Sequence, residues 1–195
     1  RVSATNTFGT SAYSVIWNFT TMWNVQPTWT GNLIIQELGA NADSVGITFG
    51  LHSLATNNLD LNLGEYQLGA MPAVGTMNAR FLLPDTSKKS YKDFRDSSVV
   101  SAIWHYKFQP GAKGYPVVIK WNIENFSDGS LFMRDPTNLE GVGNIDMRSV
   151  SQFTLTDTTV KLLEIYYSKE ICVGLQLKQG FQLVSVPVVP ASMKY

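Results

Sequence analysis

Two histidines, His52 and His105, and a single cysteine, Cys172, are the side chains best suited to proton transfer or nucleophilic attack near neutral pH. A serine triad needs a base beside an exposed nucleophile, and no Gly-x-Ser-x-Gly elbow occurs in the sequence. His105 lies in an alternating run, opposite in phase to Trp104 and Tyr106, and reads as a surface or pair-bonded strand residue. His52, just after Phe49-Gly50, reads as a turn residue. Cys172 cannot form an internal disulfide and reads as a small hydrophobe packed in a strand. Zinc needs several Cys or His at close spacing, which two isolated histidines do not supply. Asp128, Asp135, Asn138, Glu140, Asn144 and Asp146 offer hard oxygen donors around two turns, and Asp135, Asn138 and Asp146 form the calcium alternative. These residue types also make turns for their own sake, and no EF-hand spacing is present, so no cofactor or metal is expected. Gly141-x-Gly143-x-x-Asp146 lacks the third glycine of a dinucleotide loop and reads as a turn. Glu124 near Trp121 is the closest approach to a glycosidase acid, and no second carboxylate is evident for it. Trp23 and Trp29 flank Pro27 in an extended segment, where exposed rings could stack on sugars.

The elements that must position these residues are strands. Val45, Ile47 and Phe49 alternate, as do Val100, Ala102, Trp104, Tyr106 and Phe108, and then Val117, Ile119 and Trp121, which places Trp104 and Trp121 in a core. Turn signals at Pro110-Gly111, Gly114-Tyr115-Pro116, Ser127-Asp128-Gly129 and Gly141-Val142-Gly143 separate the runs. Further strands are predicted at 130–134, 143–147, 150–156, 160–168, 171–178 and 181–189. Long surface loops are predicted at 57–75, which holds Gly64, Gly69, Pro72 and Gly75, and at 84–98, with its lysines and aspartates. Only 15% of residues are charged, against roughly 25% in typical soluble domains. Polarity comes instead from Ser, Thr, Asn and Gln, which suit pleated surfaces and hairpins. The expected fold is therefore all-β: an antiparallel β-sandwich of Greek-key or jelly-roll type with extended terminal strands.

Fifteen basic and fifteen acidic side chains cancel, so no net field gathers nucleic acid or anionic lipid. No run approaches the roughly 18 apolar residues of a membrane span. Without an initiator Met or a basic-then-apolar leader, the chain is expected to be a mature or internal piece of a longer product.

The ends differ from the middle. Residues 1–21, with Arg1-Val2-Ser3-Ala4-Thr5-Asn6 followed by Gly9, Ser11, Tyr13-Ser14, Trp17, Phe19 and Thr21, resemble the last two strands of a fibronectin type III domain. A hairpin alone is marginal in water, so it needs partner strands in the same or another chain. Residues 170–195 pose the same question through Phe181 to Val188.

Between them, from about Trp23 to Ser168, several stretches recur in a characteristic order. They are Phe49-Gly50, Asn58-Leu59-Asp60, Leu63-Gly64-Glu65-Tyr66, Asn78-Ala79-Arg80-Phe81, Tyr91-Lys92-Asp93-Phe94-Arg95, Phe108-Gln109-Pro110-Gly111 with Gly114-Tyr115-Pro116, and Asn144-Ile145-Asp146-Met147. In this order the segment resembles a β-rich module near the C-terminal side of large secreted multidomain proteins of Bacteroidetes and Ignavibacteria, many of them cargo of type IX secretion. The resemblance covers roughly three quarters of the chain. It implies an extracellular or cell-surface location and a modular architecture, with no assigned reaction. Only Pro72 stands where such modules often carry several prolines, and Phe181-Gln182 stands where Trp-Asn commonly opens the following region.

The leading expectation is a non-catalytic structural or assembly module, with residues 22–169 as the sandwich and the ends as contact strands. Val15, Trp17 and Phe19 alternate at one end and Val184, Val186 and Val188 at the other, as strand pairing with neighbouring domains or identical subunits requires. A terminal strand inserted into the next copy would give open, filament-forming contacts. The alternative is a carbohydrate-binding module appended to a secreted enzyme, with Trp23 and Trp29 stacking on a polysaccharide. An unassigned hydrolase is a third reading, and it requires a cleft with converging acids.

Overall fold

The computed structural model describes residues 3, 5–12, 25–137 and 142–170. Val15, Trp17, Phe19, Trp23, Asn138, Glu140, Cys172, Val184, Val186 and Val188 lie outside the described residues, as do the strands expected at 171–178 and 181–189. The all-β expectation is met: two large sheets pack face to face, accompanied by one small hairpin, and their pairing is antiparallel save for one parallel pair.

The strands, in chain order, are β1 Thr5–Asn6, β2 Gly9–Thr10, β3 Trp29–Glu37, β4 Ser44–His52, β5 Asn78–Leu82, β6 Lys89–Ser90, β7 Lys92–Asp96, β8 Ser101–Gln109, β9 Val117–Glu124, β10 Ser130–Arg134, β11 Ile145–Asp146, β12 Gln152–Leu155 and β13 Leu162–Ser168. The first sheet runs β11-β10-β13-β8-β5-β6, the second β12-β9-β3-β4-β7, and among the described residues β1 pairs with β2 in a sheet of its own. The chain crosses repeatedly between the two large sheets, from β4 to β5, from β6 to β7, and again from β7 to β8, β8 to β9 and β9 to β10. Long-range pairing thus holds both layers together.

Alternation decides which side of each strand faces inward. Trp104, Tyr106 and Phe108 of β8 meet Leu33 and Ile35 of β3, Ile47, Phe49 and Leu51 of β4, and Ile119 of β9 in one continuous core. Full burial of each such side chain contributes about 1.5–3 kcal/mol. At one end of this core the rings interlock: Phe49 and Trp104 lie 5.2 Å apart edge to face, and Trp29 sits 5.6 Å from both. Gly31 makes room for this packing, since a Cβ there would come within 2.3 Å of the Phe49 ring. β13 buries Leu163, Ile165 and Tyr167 in the core and also Glu164 on its other face.

Two expectations are corrected here. The stretch expected as a surface loop at 84–98 contains β6 and β7, and Asp93, Phe94 and Arg95 are buried. Its charges hid the strand because they pair with one another inside the protein instead of facing water. Trp29, expected as a sugar-stacking residue if exposed, is instead the first residue of β3 and is 4% exposed in the core. The remaining loop at 57–75 is largely irregular, with one short 3-10 turn at Leu61–Leu63.

Candidate functional site

The parts of the molecule able to engage something else are its strand edges, its outer faces and the β1–β2 hairpin. In the hairpin, Thr5 pairs with Thr10 and Asn6 with Gly9. Asn6 Oδ1 accepts the Phe8 amide at 2.9 Å, and Gly9 adopts φ +138°, a value that suits glycine. The Thr5 and Thr10 hydroxyls lie 2.8 Å apart across the ladder. These contacts shape the turn but bury nothing. Residues 5–12 are exposed throughout, and the Phe8 ring, 97% exposed, stands at the tip.

Three of the four edges of the large sheets are closed in a different way. The first sheet ends on two-residue strands, β11 and β6. In the second, β7 turns the Phe94 amide outward, and Glu65 Oε1 accepts it at 2.7 Å. Glu65 Oε2 accepts the Asp60 amide at 2.9 Å, and Asp60 in turn takes the Thr56 amide at 2.6 Å and the Thr56 hydroxyl at 3.0 Å. Asp93 on the same strand holds Arg95 Nη2 at 2.7 Å, while its carbonyl accepts the Trp104 indole N–H at 2.9 Å. A loop and its carboxylates thereby cap the edge strand, a known device against unwanted strand addition.

The electrostatics of this cap are unusual. Burial pushes the Asp93 carboxyl up to about 8, against the pull of Arg95, and the neighbouring Glu65 and Asp60 add to the rise. Burial also raises Glu65, opposed by its hydrogen bonds from Asp60 and Phe94. Arg95 is lowered by burial and partly restored by Asp93 and Glu65, and its Nε is buried with no hydrogen-bond partner. A group whose folded pKa lies above its unfolded value stabilises the fold fully below the unfolded pKa, and loses that contribution as pH rises through the folded one. For Asp93 the window runs from 3.8 to about 8. Thermal or denaturant unfolding is therefore expected to show stability declining across that interval, with Glu65 adding to the decline. Asp93→Asn, which cannot titrate, flattens the profile; an unchanged slope in that variant contradicts the assignment.

The other sequence candidates occupy structural roles. His105 Nε2 lies 3.1 Å from Glu164 Oε2, and Arg134 Nε donates to Glu164 Oε1, forming a cross-strand row on the outer face of the first sheet. His52 is buried at the end of β4, where its Nε2 lies 2.9 Å from the Val25 carbonyl and its Nδ1 accepts the Leu54 amide. Asp135 Oδ1 accepts the Thr137 amide and hydroxyl, and Asp146 accepts the Arg148 amide and the Ser149 hydroxyl. Both side chains brace the turns that follow them, and the described residues contain no group of three His, Cys, Asp or Glu able to hold a metal ion. Glu124 is exposed and accepts a hydrogen bond from Asn122. Trp104 and Trp121 are buried as expected, and Trp121 donates its indole N–H to the Met147 carbonyl at 2.8 Å. Sequence reasoning missed Glu65, Asp93 and Arg95. The signal available to it was the i, i+2 spacing of Asp93 and Arg95, which puts both on one face of a strand.

Among the described residues no helix is long and apolar enough to cross a membrane. Compared with protein families, curated proteins and solved structures, the chain matches none of them.

Proposed function

We propose that the chain is a non-catalytic structural and assembly module of an extracellular or cell-surface bacterial protein, and that it contacts neighbouring domains or further copies of itself by strand pairing through its terminal segments. The observation that carries this reading is the β1–β2 hairpin: two strands of two residues each, wholly exposed, with an apolar ring at the tip. Two strands cannot bury a hydrophobic face, so such a ribbon gains stability only by adding to another sheet. The capped and shortened edges of the sandwich support the same division of labour, because they turn strand addition away from the body and toward the ends. The resemblance to modules of large secreted proteins fits this role and supplies the expected location.

Light scattering of the intact chain at micromolar concentration is expected to report self-association that is lost when residues 1–21 are removed. A stable monomer both with and without those residues refutes the reading.

A further inference from the structure

Among the described residues, Arg80 is a buried cation that forms no ion pair. It lies on β5, 3% exposed, and directly opposite Lys107 on β8, a like-charge pairing that costs stability unless something offsets it. Two residues along β5, Leu82 faces Lys89 of β6. Among the described residues, Arg80, Lys89 and Lys107 form no ion pair. The three cations line a hollow of about 440 Å³ whose apolar walls are Leu68, Met71 and Leu82.

The hollow is built and held in place. Arg80 Nε donates to Asn78 Oδ1 at 2.9 Å, and Asn78 Nδ2 donates to the Tyr91 hydroxyl at 3.1 Å, which fixes the plane of the guanidinium. Arg80 Nη1 donates to the Gly69 carbonyl at 2.6 Å. A guanidinium carries about five N–H donors, so roughly three remain for a ligand. The loop that forms the roof is pinned to the sheet: the Leu68 amide donates to the Lys89 carbonyl at 2.8 Å, and Gln109 Nε2 donates to the carbonyls of Ala73 at 2.8 Å and Thr76 at 2.9 Å. On the neighbouring strand β13, Glu164 is engaged by His105 and Arg134.

We propose that this hollow binds the oxyanion head of a small ligand, with Arg80 gripping a carboxylate through its free N–H groups and Lys89 and Lys107 neutralising the charge. The planar fork of an arginine matches a carboxylate geometrically, and the apolar walls favour one carried on a short hydrocarbon body. This site is independent of the terminal contacts proposed above.

The test is an NMR titration of the full chain with sodium butyrate, using sodium chloride at equal ionic strength as the control and acetate as the shorter analogue. Butyrate is expected to shift the Arg80 Nε–H resonance saturably and to bind more tightly than acetate, while chloride has no saturable effect. The exposed or half-buried lysines can be changed without disturbing the core, and Lys89→Gln with Lys107→Gln is expected to weaken binding about fivefold. Arg80→Gln, where it folds, is expected to abolish binding. No saturable shift with butyrate, or equal affinity in the double-lysine variant, overturns the proposal.

Discussion

Trp104→Ala is expected to lower the free energy of unfolding by about 3–5 kcal/mol, measured by denaturant titration with an unchanged dependence on denaturant concentration. Trp104 is fully buried at the centre of the aromatic end of the core, edge to face with Phe49 and Trp29. Its loss removes apolar area, leaves a cavity that two sheets pinned by continuous ladders cannot close, and orphans the Asp93 carbonyl that its indole N–H satisfies. Trp104→Phe separates these effects. It keeps most of the ring packing and is expected to retain more than half of the lost stability. Equal losses in the two variants would show that the hydrogen bond, and not the packed ring, dominates.

Arg95→Met gives the second large effect. Removing one partner of a buried pair leaves an uncompensated charge only where the other is ionised, so the cost of about 3–5 kcal/mol is expected in full only at alkaline pH, above the Asp93 value of about 8. Here the groups that lose their cation are Asp93 and Glu65, both buried near the cap of β7. The sign of the pH dependence follows from the folded pKa. In the parent protein the decline in stability attributable to Asp93 ends at about 8, where the carboxyl is ionised beside Arg95. Without the guanidinium that carboxyl ionises only at still higher pH, so the variant goes on losing stability where the parent has levelled off. Parallel unfolding profiles from mildly acidic to alkaline pH are expected to diverge as pH rises; a constant gap would mean that Arg95 acts through packing alone.

Much of the fold was legible because the core strands keep a clean alternation. Ala102, Trp104, Tyr106 and Phe108 announce β8, and Val117, Ile119 and Trp121 announce β9, since every second residue is large and apolar. β3 was obscured by Gly31, which breaks the apolar series at an inward position because the Phe49 ring occupies the space a side chain would need. β7 was obscured by Asp93 and Arg95, whose polar groups partner each other indoors while a one-dimensional pattern assigns them to solvent. The cation-lined hollow was invisible for another reason. Arg80, Lys89 and Lys107 sit on three strands that only the sheet brings together, and the balanced overall charge conceals a local excess. Composition speaks to the average field of the molecule, whereas a pocket depends on register.

The central claim is that a self-sufficient sandwich carries a terminal ribbon which is completed only by a neighbour. Backbone hydrogen exchange of the full chain at low and at high protein concentration tests it most directly. Amides of β3, β8, β9 and β13 are expected to be strongly protected at both concentrations, while those of Thr5–Thr10 exchange freely when dilute and become protected as the chain associates. Hairpin amides that exchange identically at both concentrations, whether protected or free, would contradict the account.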